Sequence, residues 1–269
     1  MTSAARKQIP AEFLYQVFAL IIAIIVVHSI YVSIVRPNAE AILIEQSIQI
    51  NQDPDYVPER SAFVLIRDFE QEACFILMLW AFALMGHKAL QTARERRLLS
   101  ENLVPISDGT SVLPEDTREY ARPVQALPDD TQQRLLPRVF LTALHRFRST
   151  RNIQDVSTAV RDLCEAESDR LDSELSMIRY IAWAIPSIGF LGTVRGIGEA
   201  LAQAHKAVEG DIAGVTQSLG VAFNSTFIAL LISIVVMFVL HQLQQAQERV
   251  VLDTQTYLDR QLIRHMQTR

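Results

Sequence analysis

Apolar residues gather along the chain into four long runs, each bounded by charged or proline-containing sequence. The first, Phe13 to Val35, is about 23 residues, enough to cross ~30 Å of hydrocarbon as a helix. The second is weaker. Only Ala73 to Gly86 is uninterrupted, about 14 residues against the usual ~20. It follows a half-apolar stretch, Ala62 to Phe69, that contains Arg67 and Asp68. By pattern alone, this segment also fits a buried helix of a soluble domain. The third run extends from Tyr180 to about Ala204, and the fourth from Leu219 to about Leu243.

Between the second and third runs the pattern changes twice. Pro105, Pro114, Pro123, Pro128 and Pro137 predict a loop-like stretch in the first half of 87–179. Then Ile153, Val156, Val160, Leu163, Leu171, Leu175 and Ile178 recur at threes and fours, with a gap at Glu167. That spacing predicts an amphipathic helix running straight into the third span. Leu243, Val250, Tyr257 and Leu258 predict a similar extension of the fourth. Two long helices are thus expected to cross the bilayer and continue on its inner side.

Charge supplies an orientation. Arg6 and Lys7 precede the first run. The following connection holds Arg60 alone against Glu40, Glu45, Asp53, Asp55 and Glu59. Lys88, Arg94, Arg96 and Arg97 follow the second run. Basic residues mark the cytoplasmic side, so both termini are expected inside and the acidic connection outside. The basic cluster after Gly86 also argues that the second run does cross. The N-terminus is not expected to be a cleaved leader. Its run is too long, and no small-x-small site precedes Arg36-Pro37.

Composition agrees with a chain that is part bilayer and part aqueous. Of 269 residues, 49% are apolar, yet 20% are charged. A net charge of −5 gives no nucleic-acid footprint. Cys74 and Cys164 fall in segments expected in different compartments, and no Cys/His spacing suggests a metal. Nothing indicates a cofactor or an enzymatic nucleophile. GTVRGIG lies inside a span with no preceding strand, so it is not a phosphate loop.

The chemistry is concentrated in the third and fourth runs. Gly189, Gly192, Gly196 and Gly198 lie in the third; small residues let helices approach closely in lipid. Pro186 is expected to kink this helix and free carbonyls that need other partners. Thr193 is polar and deep in the third run, and Asn224, Ser225 and Thr226 form a polar cluster in the fourth. In an antiparallel hairpin, Thr193 and Thr226 fall about level; the alternative is back-bonding of each hydroxyl to its own helix. Arg195 and Glu199, four apart, are expected to pair, either as a functional charge within the membrane or at its outer interface. Between Leu219 and Leu240 the fourth run has no ionisable residue. A proton relay through it needs a carrier from elsewhere.

The segment Pro186-Ser187-Ile188-Gly189-Phe190-Leu191-Gly192-Thr193-Val194-Arg195-Gly196-Ile197 resembles the P-x-I-G-L-x-G-T-V-x-G-I signature of the MotA/TolQ/ExbB proton-channel family. Gly220 to Thr226 is similar to that family's second pore helix. The resemblance covers about 153–258. It implies a homopentamer around a dimer of a single-span partner of the ExbD/TolR/MotB kind, whose transmembrane aspartate carries the proton. It also implies that Thr193 and Thr226, with Asn224 and Ser225, line the pore. Four spans resemble the MotA arrangement, whereas the short motif is closer to ExbB and TolQ. Two positions depart. Val221 stands where ExbB and TolQ carry a glutamate, and Arg195 replaces an aromatic residue.

The expected fold is an all-α membrane protein with four transmembrane helices and a helical cytoplasmic domain. The expected divisions are an N-terminal segment with the first span (1–36), a periplasmic loop (37–61) and the second span (62–86). A cytoplasmic domain (87–179), two pore-lining spans (180–243) and a cytoplasmic C-terminal helix (244–269) follow. The expected function is an ion-channel subunit of an ion-motive-force-driven motor in the bacterial inner membrane. A non-conducting scaffold and a stand-alone channel are the alternatives.

Overall fold

The computed structural model describes residues 11–53, 56, 59, 61–101, 103, 106 and 110–268. Arg6, Lys7, Asp55, Arg60 and Pro105 lie outside them. The described chain is helical, and its one β-type contact is an isolated bridge between Val112 and Met266. Four helices are long and apolar enough to cross a membrane: Glu12–Ile50, Phe69–Ser100, Ile153–Ala202 and Ala213–His265. The protein is an all-α, multi-pass membrane protein.

The elements are α1 (Ala11–Ile30), α2 (Arg36–Gln52), α3 (Ala62–Leu65), α4 (Phe69–Ser100), α5 (Thr117–Gln125) and α6 (Asp129–Gln132). They continue with α7 (Leu135–Thr150), α8 (Ile153–Glu174), α9 (Ser176–Ala202), α10 (Ala204–Val208) and α11 (Ala213–Gln261). A π-helical turn, Tyr31–Val35, joins α1 to α2. The chain forms two compact units.

The first unit comprises the described residues of Met1–Met85 and Met177–Leu240. Helix α1 runs antiparallel to α4. The Tyr15 hydroxyl donates to the Ala83 carbonyl (3.0 Å), and the Trp80 indole N–H donates to the Gln16 carbonyl (3.0 Å). Val27, Tyr31 and Val35 pack against Ile66, Phe75, Ile76 and Leu79. Many large apolar side chains on α1, α9 and α11 stay exposed, among them Phe18, Ile25, Trp183, Leu191, Phe227 and Phe238. Exposed apolar area of this extent belongs against lipid or another chain.

The second unit comprises the described residues of Gly86–Ser176 and His241–Arg269. Its core joins α7 (Leu136, Val139, Phe140, Phe147) to α8 (Val156, Val160, Cys164) and to Leu258 and Leu262 at the chain end. The amphipathic spacing of α8 is thus its packing face. Glu167, the gap in that spacing, is buried and held by arginines: Arg138 Nη2 at 2.6 Å and Arg170 Nε at 3.1 Å. Burial raises its pKa, but the hydrogen bonds from Arg170 and Arg138 and their charges outweigh this, and the net shift is downward. A lowered folded pKa contributes stability above the unfolded value, lost as pH falls through the folded one. Glu167→Gln is therefore expected to remove part of the unit's acid sensitivity. Urea unfolding of wild type and variant at neutral and acidic pH checks this; parallel losses on acidification would count against it.

The loop-like expectation for the first half of 87–179 is corrected. Helix α4 continues to Ser100, and α5, α6 and α7 fill much of the remainder. Pro128 precedes α6, and Pro137 sits in the first turn of α7. There a missing N–H costs no intrahelical bond. Pro123 lies inside α5, near its end. The connection after the first span is helical over Arg36–Gln52. Cys74 and Cys164 are both buried and free, one in each unit.

Candidate functional site

Helices α9 and α11 meet through small residues. Gly189, Gly192 and Gly196 share one face of α9 and are buried. Opposite them on α11 stand Ser218, Ala222, Ser225 and Ala229, spaced by fours and threes. A Cβ at Gly192 would lie 2.5 Å from the Ser225 Cβ. One at Gly196 would lie 2.7 Å from the Ser218 carbonyl oxygen. Gly198 and Gly220 meet nothing within 4 Å. Three of the four glycines of the third span therefore set the helix separation, as small-residue packing in lipid requires.

This close approach brings Thr193 and Thr226 together. Their hydroxyls hydrogen-bond to each other. The Thr193 hydroxyl also reaches the Ala222 carbonyl, and that of Thr226 the Gly189 carbonyl, each at 3.0 Å. Each hydroxyl has one proton to donate. A fourth, longer contact runs from Thr193 to the Gly189 carbonyl of its own helix (3.4 Å), so two protons are shared among four contacts. Both threonines are half-buried, as is Asn224, whereas Ser225 is buried and donates to its own Val221 carbonyl (2.9 Å). The two threonines are level, and they back-bond across the pair as well as within it.

Pro186 lies inside α9, which continues through it. Proline has no N–H to give the carbonyl four residues earlier. That carbonyl, of Ala182, accepts instead from Ser233 of α11 (3.3 Å). The Ile185 carbonyl accepts from the Cys74 thiol (3.6 Å).

The Arg195–Glu199 pair forms, with Nη1 to Oε1 at 2.9 Å. A second carboxylate dominates it. Glu70 takes the guanidinium in bidentate fashion, Nε at 2.7 Å and Nη2 at 2.9 Å. Arg195 and Glu199 side chains are 40% and 47% exposed, and Glu70 is 15%. Arg195→Met and Glu70→Gln are expected to couple by about 1 kcal/mol in a double-mutant cycle on stability, discounted for exposure. Additive effects would dissolve the pair.

Glu70 opens a polar triplet in the first turn of α4 that sequence reasoning missed. Gln71, wholly buried, donates to Ser225 of α11 (3.4 Å) and to the Leu65 carbonyl (3.3 Å). Glu72, also buried, is bonded to His28 Nδ1 (2.7 Å) and to Arg36. The Arg36 guanidinium lies over Phe69 at 4.5 Å and Tyr31 at 5.8 Å. The Tyr31 hydroxyl and the Gln71 Oε1 are buried with no hydrogen-bond partner among the described residues. The π-helical turn sits between His28 and Arg36, where such turns often mark functional positions. One signal could have found this cluster. Glu70-Gln71-Glu72 directly precedes an apolar run, and His28 interrupts another.

Four apolar helices with polar groups gathered at a few levels between them define a multi-pass membrane protein. Residues 131–256 match the model of the MotA/TolQ/ExbB proton channel family. The match contains α7, α8, α9 and most of α11, and hence both threonines. No curated protein and no solved structure matches the chain.

Proposed function

We propose that this chain is the ion-conducting subunit, with the proton as its ion, of an inner-membrane motor driven by ion-motive force. It assembles as a homopentamer around a dimer of a single-span partner of the ExbD/TolR/MotB kind. The partner's transmembrane aspartate carries the charge, and the complex transmits the energy to that partner. The observation that carries this reading is the Thr193–Thr226 pair. It is half-buried, has more acceptors in reach than hydroxyl protons, and is set on helices whose neighbouring residues, Val194, Phe223 and Phe227, are exposed and apolar. Such a pair suits a partner's protonated carboxyl, which can donate to one of its oxygens. Helix α11 offers no ionisable group of its own between Leu219 and Leu240. Asn224 extends the polar level toward the pore, while Ser225 anchors α11 on α4. Arg195, Glu199 and Glu70 form the outer gate.

In this arrangement both termini and the second unit lie in the cytoplasm, and 37–61 lies in the periplasm. The membrane potential supplies ~2.3 kcal/mol per charge per 100 mV, so no nucleotide is required. Thr193→Ala with Thr226→Ala is expected to lower proton flux about tenfold, the equivalent of one hydrogen bond of roughly 1.4 kcal/mol. Assembly should be unchanged by native mass. The measurement is flux into vesicles holding the chain and its partner. Unaltered flux would transfer support to the scaffold reading, since the same threonines also bind α9 to α11.

A further inference from the structure

The second unit carries a basic groove of about 530 Å³ between α5 and α7. Arg118 and Arg122 are four apart on α5, and His145 and Arg148 are three apart on α7, so each pair shares a face of its helix. All four line the groove, together with the apolar Leu141 and the buried Leu144. No carboxylate lines it, and none of the four side chains is paired with a carboxylate among the described residues. No residue of the four spanning helices lines it either. The groove is basic against the balance of the chain, whose net charge is −5.

Three guanidinium groups held around one groove repel one another, and a bound anion relieves this. Guanidinium is planar and donates two parallel hydrogen bonds, which suits the oxygens of a carboxylate or a phosphate. One arginine is enough for a carboxylate, which has a single charge and two oxygens. Three arginines and an imidazole on two facing walls match a phosphate ester, with up to two charges and three acceptor oxygens. The leucines offer the same ligand an apolar surface. The volume falls within the roughly 300–1,000 Å³ of small-molecule sites. We propose that this groove binds a soluble phosphate ester of nucleotide size, its phosphates between Arg118, Arg122 and Arg148 and its ring against Leu141 and Leu144. A lipid headgroup has the same charge chemistry, but its chains must reach the bilayer, and no spanning helix contributes to the groove. The site lies wholly within the second unit, so it stands independently of the conducting reading above.

The test uses the full-length protein in nanodiscs of zwitterionic lipid, titrated with ADP in a calorimeter. Inorganic pyrophosphate and adenosine serve as probes of the two halves of the ligand. ADP is expected to bind, pyrophosphate to bind more weakly, and adenosine to show no heat. Arg118→Gln, Arg122→Gln and Arg148→Gln together are expected to weaken ADP binding about tenfold or more. The same charge is removed outside the groove by Arg94→Gln, Arg146→Gln and Arg249→Gln, all exposed positions. That second triple should change binding by no more than about twofold, because distant exposed charges are screened. Arg122→Lys with Arg148→Lys keeps the charge, loses the planar fork, and should still weaken ADP about threefold. This pair decides the matter if the neutral triple does not fold. Equal losses in the two triples, or full binding by the lysine pair, overturn the site in favour of diffuse attraction. Failure of both ADP and pyrophosphate to bind the wild type overturns it outright. ADP binding should persist when phosphatidylglycerol is added to the nanodiscs. Its loss there makes the lipid headgroup the occupant and overturns the soluble ester.

Discussion

Replacing Glu72 by leucine is expected to destabilise the full-length protein by about 3–5 kcal/mol. The size follows from what is left behind. Glu72 is buried, and it faces Arg36 and His28. Without the carboxylate, the Arg36 guanidinium, 25% exposed, keeps its charge with only the faces of Phe69 and Tyr31 to hold it. An aromatic face offers ~1–2 kcal/mol to such a cation, less than the desolvation it suffers. Removing both partners should be milder than removing one. Arg36→Met added to Glu72→Leu is therefore expected to recover most of the loss. Thermal unfolding in detergent, read by tryptophan fluorescence, compares the three variants. A double variant as unstable as the single would show that Glu72 acts without Arg36.

The second large effect is expected at Gly196. Alanine there brings a Cβ to within 2.7 Å of the Ser218 carbonyl oxygen and 2.8 Å of the Ala222 backbone nitrogen. These are backbone atoms and cannot rotate aside, so α9 and α11 must move apart, at a cost of about 1–3 kcal/mol. Helix propensity alone works the other way, favouring alanine over glycine by about 1 kcal/mol. Gly198 is the control. It lies two residues on in the same helix and meets nothing within 4 Å, so Gly198→Ala should be neutral or stabilising. Opposite signs at two neighbouring glycines are the expected result in the same unfolding assay. A Gly196→Ala variant as stable as Gly198→Ala would mean that close approach does not hold the helices together. Separation should also break the Thr193–Thr226 contact, so flux should fall with stability at Gly196 and with neither at Gly198.

The parts of this architecture that depend on short sequence periods were legible. Three- and four-residue spacing located the packing face of α8, and the glycine spacing located the close face of α9. The level pairing of Thr193 with Thr226 followed from helix rise, given an antiparallel hairpin. What escaped were groups whose partners lie far along the chain. Glu70 and Arg195 are 125 residues apart and Gln71 and Ser225 are 154, and no local pattern links them. In sequence the triplet is indistinguishable from the polar border of a span, because carboxylates also favour a helix N-terminus on electrostatic grounds. The small residues of α11 were hidden for another reason. Serine and alanine are common in any apolar helix, and Ser218, Ala222, Ser225 and Ala229 gain meaning only from the glycines opposite. Prolines misled in the opposite direction, because those at helix starts break no bond.

The triplet in α4 has one more consequence. Successive residues of an α-helix point about 100° apart, always turning the same way. Glu70 reaches α9, Gln71 reaches α11, and Glu72 reaches α1 and α2. These three helix positions therefore follow one another around α4 in a fixed rotational sense. Apolar packing alone barely distinguishes four helices arranged clockwise from the same four arranged counter-clockwise. Three adjacent polar residues, each with its own target, do distinguish them. The triplet thus fixes the handedness of the bundle, and a mirror arrangement of the same spans would leave the Glu70 and Glu72 carboxylates facing the wrong helices.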